Sequence, residues 1–123
     1  MAASPLPENI VVVLFGHDPN VVAERCSTLQ SDGYETVITT TAGEAEHLLA
    51  SGAADVLLVG SQTGPLTRLR LGEKARVYGV AVVHIAYRNH PQAHGDEIYV
   101  TRPLGPNDLL TAMHRALRRR QRR

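Results

Sequence analysis

Aromatic residues and cysteine are scarce in this 123-residue chain: there is one Cys, one Phe and no Trp, and the aromatic fraction is 4%. A single thiol, Cys26, excludes an internal disulfide and cannot form a zinc site alone. It reads as a small buried apolar residue on a helix. With so few rings, the core has to be assembled from Val, Leu, Ile and Ala, a composition suited to buried parallel strands. No apolar run approaches the roughly 18–20 residues that span a bilayer. The opening MAASPLPEN is too polar and too short for a secretory signal. A cytoplasmic protein with no membrane partner is therefore expected. Also missing are a Walker-type phosphate loop, a nucleophile elbow and any gathering of carboxylates at strand ends, so no enzymatic activity and no cofactor are expected.

What is present is ordinary globular composition, 43% hydrophobic and 20% charged, in a length that suits one domain. The charge is unevenly placed. RRRQRR, residues 118–123, holds five of the 13 Lys+Arg, leaving eight basic against twelve acidic residues in the body, a formal charge of −4. Arg118, Arg119, Arg120, Arg122 and Arg123, with Arg115 one turn earlier, form a candidate contact for nucleic acid or an acidic partner. More often such a cluster is a solvated helix end or the start of a linker. No helix-turn-helix, zinc finger or stacking aromatic set accompanies them, so any DNA binding by this tail should be sequence-blind and steeply salt-dependent.

The chain alternates strand and helix signals. Asn9–Phe15 (NIVVVLF) is a β-branched apolar run of the kind covered on both faces, and it ends at Gly16. Asp18-Pro19 supplies an N-cap and a first-turn proline for a helix with Val22, Cys26 and Leu29 inward, closed by Gly33. Tyr34–Thr39 reads as a second strand. Thr41 and Glu44 have capping-box spacing for a helix that buries Ala45, Leu48 and Leu49. Ala54–Val59 is the third strand. Pro65–Val77 is a poorer helix, with Leu66, Leu69 and Val77 as its core candidates and Gly72 weakening it. Val80–Ala86 is the fourth strand and contains His84, read as a core histidine with a backbone partner. Residues 88–97 show no helical face. Ile98–Thr101 is a fifth strand, and Pro106 opens a last helix with Leu109, Leu110, Met113 and Leu117 inward. This order implies a parallel sheet with helices on both faces and functional residues just past the strand ends.

In sequence order, FGHDPNV (15–21), SDGYETVITTTAGEAEHLLA (31–50), ADVLLVG (54–60) and YVTRPLGPNDLL (99–110) resemble the successive signature segments of bacterial response-regulator receiver domains. The resemblance runs from about Asn9 to Leu117. It implies a flavodoxin-like, doubly wound α/β fold with a five-stranded parallel sheet in the order 2-1-3-4-5. The stretch between the fourth and fifth strands, interrupted by Pro91 and Gly95, implies a shortened or missing fourth helix. Residues 1–8 are then a flexible segment, 9–117 the domain and 118–123 a basic tail.

A working receiver phosphorylates an aspartate at the end of the third strand, with Mg²⁺ held by that aspartate and an acidic pair after the first. A Thr or Ser and a Lys grip the phosphoryl oxygens. Carried over, the acidic pair falls on Gly16 and His17, leaving Asp18 as a lone carboxylate fit to cap the helix. The acceptor falls on Gly60, the hydroxyl position on Ala86, and the Lys on Arg102, followed by Pro103. Tyr99 corresponds to the switch aromatic. The resemblance thus implies a pseudo-receiver acting by protein contacts without aspartyl phosphorylation, in transcriptional regulation or as an adaptor. Its partners would be a protein or an effector domain, with a homodimer or DNA as further candidates. Ser61, beside Gly60, and His17 are the remaining phosphorylatable side chains, without a carboxylate cluster to bring Mg²⁺. His17, His90, His94 and Asp96 lack metal-site spacing, so no metal is expected. The alternative reading is a small-molecule sensor, with an anionic ligand in the vacated pocket anchored by Arg102 and His17. Against it stands filling of that space by neighbours such as His84 or Tyr87.

Overall fold

The computed structural model describes residues 10–86, 98–101 and 105–121; for Tyr99, Thr101 and residues 119–121 it describes the backbone. The elements are β1 (Val11–Phe15), α1 (Pro19–Ser31), β2 (Glu35–Thr39), α2 (Ala42–Ser51), β3 (Val56–Val59), α3 (Pro65–Val77), β4 (Ala81–Ala86), β5 (Ile98–Thr101) and α4 (Pro106–Gln121). The strands lie in the order β2-β1-β3-β4-β5, and every adjacent pair is parallel.

Alternation along the central strands feeds two cores. Val12 and Leu14 of β1, Val56 and Leu58 of β3, and Val83 and Ile85 of β4 face Val22 and Leu29 of α1 and Leu109 and Met113 of α4. Val13, Phe15, Leu57, Val59 and Val82 face Ala45 and Leu49 of α2 and Leu71 and Ala75 of α3. Each fully buried Val or Leu contributes about 1.5–3 kcal/mol, so the sheet is held from both sides mainly by aliphatic side chains, with Phe15 and Tyr34 adding one ring to each core.

Local signals set the helix ends. Asp18 Oδ1 accepts from the amides of Asn20 and Val21 at 3.0 and 3.4 Å, with Pro19 at the first helical position. Thr41 Oγ1 accepts from the Glu44 amide at 3.1 Å, and Glu44 reaches back to the amide of Thr40 at 3.2 Å, one residue earlier than in the usual box. Cys26 is half-buried, and its Sγ donates to Thr36 Oγ1 at 3.0 Å, tying α1 to β2.

Helix α3 differs from its expected orientation. Leu66, Leu69 and Val77 are 80%, 49% and 75% exposed, whereas Arg68, Leu71, Gly72 and Ala75 face inward. The inward stripe does follow helical spacing, but its first member is an arginine, so a search for apolar periodicity settles on the wrong face. Gly72 is buried on that stripe and does not interrupt the helix. The last helix buries Leu109 and Met113 as expected, along with Ala112 and Ala116, while Leu110 and Leu117 pack at its margin. It continues through Arg118 to Gln121.

Residues 1–8, the expected fourth-helix stretch, Tyr87, His90, His94, Asp96, Arg102, Pro103, Arg122 and Arg123 lie outside the described residues. Among the described residues no helix is long and apolar enough to cross a membrane.

Candidate functional site

Parallel strands deliver their carboxyl ends to one edge, and there the loops after β1 and β3 meet. The register sets Phe15 beside Val59, and the Gly60 amide extends the ladder by donating to the Phe15 carbonyl at 2.8 Å. The Gly16 amide donates to the Thr39 carbonyl on the other side at 3.2 Å. Both glycines are buried, and both are there because the chain approaches closely. A Cβ on Gly60 would stand 3.0 Å from the Phe15 carbonyl oxygen, and one on Gly16 would stand 2.8 Å from a Val22 methyl.

A cleft opens over this meeting point. One wall is Gly16, His17 and Asp18; the opposite wall is Gly60, Ser61, Gln62 and Thr63; Val21, Val22 and Arg25 of α1 form the third side. Its cavity volume is about 30 Å³, room for roughly one or two waters. A drug-sized ligand needs about 300 Å³ or more. His17 is exposed and rests edge-on against Phe15, ring centroids 5.2 Å apart. Asp18 lines the mouth, with Oδ1 engaged in capping.

The structure brings Gly16, His17, Asp18, Gly60 and Ser61 together at this cleft. Ala86 ends β4, 3% exposed, paired with Thr101 of β5. Tyr99 pairs with His84 in the backbone register. Among the described residues no group of three or more His, Cys, Asp or Glu is placed to hold a metal ion.

Three residues absent from the sequence-based candidates shape the site. Arg25 Nη1 lies 3.8 Å from where a Gly60 Cβ would stand, so a fixed cation occupies the side of the cleft nearest β3. Its signal was its place three residues after Val22, on the flank of the inward stripe of α1. Thr63 is 8% exposed, lines the cleft, and its hydroxyl has no hydrogen-bond partner among the described residues.

Arg68 is the third, 5% exposed on the opposite face of the sheet. It donates from Nε to the Thr63 carbonyl at 3.0 Å and from Nη2 to the carbonyls of Gly60, at 2.8 Å, and Ile85. Its Nη1 lies 3.1 Å from His84 Nδ1. Guanidinium only donates, so Nδ1 accepts. His84 is fully buried as expected, and at Nδ1 it meets an arginine side chain, which turns this edge of the ring toward α3. The space beside Gly60 is narrowed from α1 by Arg25.

No family model matches the chain, and no curated protein matches it. Solved structures do. A response-regulator receiver protein from Sinorhizobium medicae is similar with a TM-score of 0.81 at 21% identity, over 92% of this chain and 98% of that one. A CheY-like receiver domain protein from Methanospirillum hungatei gives 0.78 at 20% identity, over 94% and 98%. The signal receiver domain of an HD domain-containing protein from Pseudomonas fluorescens gives 0.75 at 17% identity, over 94% and 100%. The chain has the flavodoxin-like fold of response-regulator receiver domains.

Proposed function

We propose that this chain is a pseudo-receiver, a non-enzymatic signalling domain that works through protein contacts independently of aspartyl phosphorylation. One observation carries the reading. Arg25 puts a cation 3.8 Å from the Cβ position of Gly60, the residue on which the receiver resemblance puts the phospho-acceptor. A hard divalent cation needs oxygen ligands, and here it would meet a guanidinium with only Asp18 nearby, a carboxylate already capping α1. Gly60 has no nucleophile, and the adjoining Phe15 carbonyl leaves little room for one.

Arg68 supports the same reading from the other face, because it fastens the carboxyl ends of β3 and β4 to each other and to the loop before α3. A domain tied in this way presents one surface constantly, and partners change its output by binding it. The partner is a protein or an attached effector domain, in transcriptional regulation or as an adaptor. A receiver domain joined to another domain has a precedent in the HD domain-containing neighbour. The basic end of α4, from Arg115 onward, suits an acidic partner or nucleic acid.

The test is an amide NMR spectrum of the full chain titrated with Mg²⁺ and then with beryllofluoride, a mimic of aspartyl phosphate. Unmoved resonances of Gly16, Gly60 and Ser61 are expected. Saturable shifts there would overturn the proposal. A second reading, ligand sensing in the same cleft, is restricted by the cleft's size to a very small group.

A further inference from the structure

We infer that helix α3 is a self-association surface, on which a second copy of this chain docks its own α3 in antiparallel orientation across a two-fold axis. The inference goes beyond the pseudo-receiver reading and stands whether or not the cleft takes Mg²⁺. Among the described residues five large apolar side chains are exposed, and four of them lie on α3 or directly after it: Leu66 at 80%, Leu69 at 49%, Val77 at 75% and Tyr78 at 46%. Such a concentration of apolar side chains on one exposed helix marks an interaction surface.

The order of residues on that helix selects the occupant. Arg68, Leu71, Gly72 and Ala75 face the core, so helical geometry makes Leu66, Arg70, Glu73 and Val77 the outermost ridge. Their spacing of four, three and four residues is that of a coiled-coil seam. The ridge is also symmetric about its midpoint between Leu71 and Gly72: Leu66 and Val77 stand equally far from it, and so do Arg70 and Glu73. Against a reversed copy of itself it matches Leu66 with Val77 at both ends and Arg70 with Glu73 in both middle layers. A parallel copy would set arginine against arginine and glutamate against glutamate. A partner of one charge sign would oppose one of the two middle residues, whereas the reversed helix complements both.

The charges around the ridge are arranged for this. Glu73 is exposed, with no ion-pair partner among the described residues. Arg70 is held by Glu46 through Nε and Nη2, at 2.6 and 2.7 Å, which fixes the guanidinium and leaves Nη1 for a further acceptor. Lys74 acts on the same Glu46 carboxylate, so two cations share one anion there and positive charge is left over for the Glu73 of a second copy. A helix of 13 residues is about 20 Å long, and a seam of that length buries less than the roughly 1,200 Å² of a stable complex. The dimer is therefore a weak one, with a dissociation constant on the order of 0.2 mM.

The experiment follows amide resonances and sedimentation of the full chain from about 0.02 to about 2 mM, a range that brackets the expected constant. Saturating, concentration-dependent shifts should centre on Leu66, Glu73 and Val77, and the sedimenting mass should approach that of two chains. Each substitution enters a two-fold interface twice. Leu66→Asp should therefore weaken the dimer at least about tenfold, and Glu73→Arg, which sets it against Arg70, about tenfold. Both positions are exposed, so in dilute solution these variants should melt within about 2 °C of wild type. Arg70→Glu should also fail to self-associate. Mixed in equal amounts, the folded Glu73→Arg and Arg70→Glu variants should regain a dimer within about threefold of the wild-type affinity, because every arginine then faces a glutamate. A wild-type chain that stays monomeric throughout would overturn the inference and leave α3 to a different protein. So would self-association that neither Leu66→Asp nor Glu73→Arg weakens, or shifts confined to β5 and α4, or a mixture that regains nothing.

Discussion

Arg68 Nη1 and His84 Nδ1 lie 3.1 Å apart with both residues almost wholly buried, so a helix that exposes Leu66 and Leu69 turns an arginine into the core. The guanidinium is accommodated because three backbone carbonyls and an imidazole nitrogen receive its protons. Replacing it by Met should leave those acceptors buried without their donor. We expect Arg68→Met to destabilise the domain by about 3 kcal/mol or more, and Arg68→Lys to recover only part of that, since an ammonium lacks the fork. Chemical denaturation gives both numbers. A double-mutant cycle with His84→Leu should return a coupling of about 1 kcal/mol or more, and additive losses would show that the contact is incidental.

Gly60 supports a prediction whose sign depends on side-chain charge. Gly60→Ala places a Cβ 3.0 Å from the Phe15 carbonyl oxygen and should cost about 1–2 kcal/mol through overpacking. Gly60→Asp makes the same steric contact but sets a carboxylate beside Arg25, and it should be less destabilised than the alanine variant. The advantage should vanish in an Arg25→Gln background. Even with this aspartate in place, Mg²⁺ with beryllofluoride should give no saturable shifts, because Gly16 and His17 supply no carboxylate to hold Mg²⁺. An aspartate variant that loses more stability than alanine would contradict the placement of Arg25.

Most of the scaffold could be read from the chain, because apolar strands, caps and glycine punctuation are local signals. NIVVVLF, Asp18-Pro19 and the Thr41/Glu44 pair act within a few residues of themselves, and the structure has the corresponding strand and helix starts. Helix α3 was harder. Its inward face is Arg68, Leu71, Gly72 and Ala75, half of it polar or minimal, while two leucines and a valine look outward. Arg68 is acceptable inside only because carbonyls from β4, from just past β3 and from the loop before α3 converge on it, and that convergence is tertiary. The cleft divides in the same way. Gly16, His17, Asp18, Gly60 and Ser61 follow from where strands end, whereas Arg25 and Thr63 matter through distances that no spacing rule contains.

Acid should weaken the contact between α2 and α3. Glu46 accepts two hydrogen bonds from Arg70, at 2.6 and 2.7 Å, and these hold its carboxyl below the ordinary value of 4.5. A carboxylate whose folded value is lowered adds stability that is present above its unfolded value and is lost as pH falls through the folded one. The pair is surface-exposed on the arginine side, so the effect is small. We expect wild type to lose slightly more melting temperature than Glu46→Gln as pH falls below 4.5. Parallel curves for the two proteins would remove Glu46 from the acid response.

Alkali acts through Tyr34, which immediately precedes β2 and packs into the core formed with α1 and α4. Burial raises its phenol above the ordinary 10.0, and the nearby Asp32 carboxylate raises it further. The sign is opposite to that of Glu46. The neutral phenol is the form the fold prefers, so its contribution is complete below the unfolded value and disappears as pH rises through the folded one. Tyrosinate absorbance followed against pH should show one of the four tyrosines titrating late, and Tyr34→Phe should remove that step. The same substitution should flatten the alkaline fall in melting temperature, because no phenolate then has to form beside Leu29 and Met113. Asp32→Asn should move the late step toward the ordinary value by less than half of its displacement, since burial is the larger cause. A late step that survives Tyr34→Phe would place the perturbed phenol elsewhere.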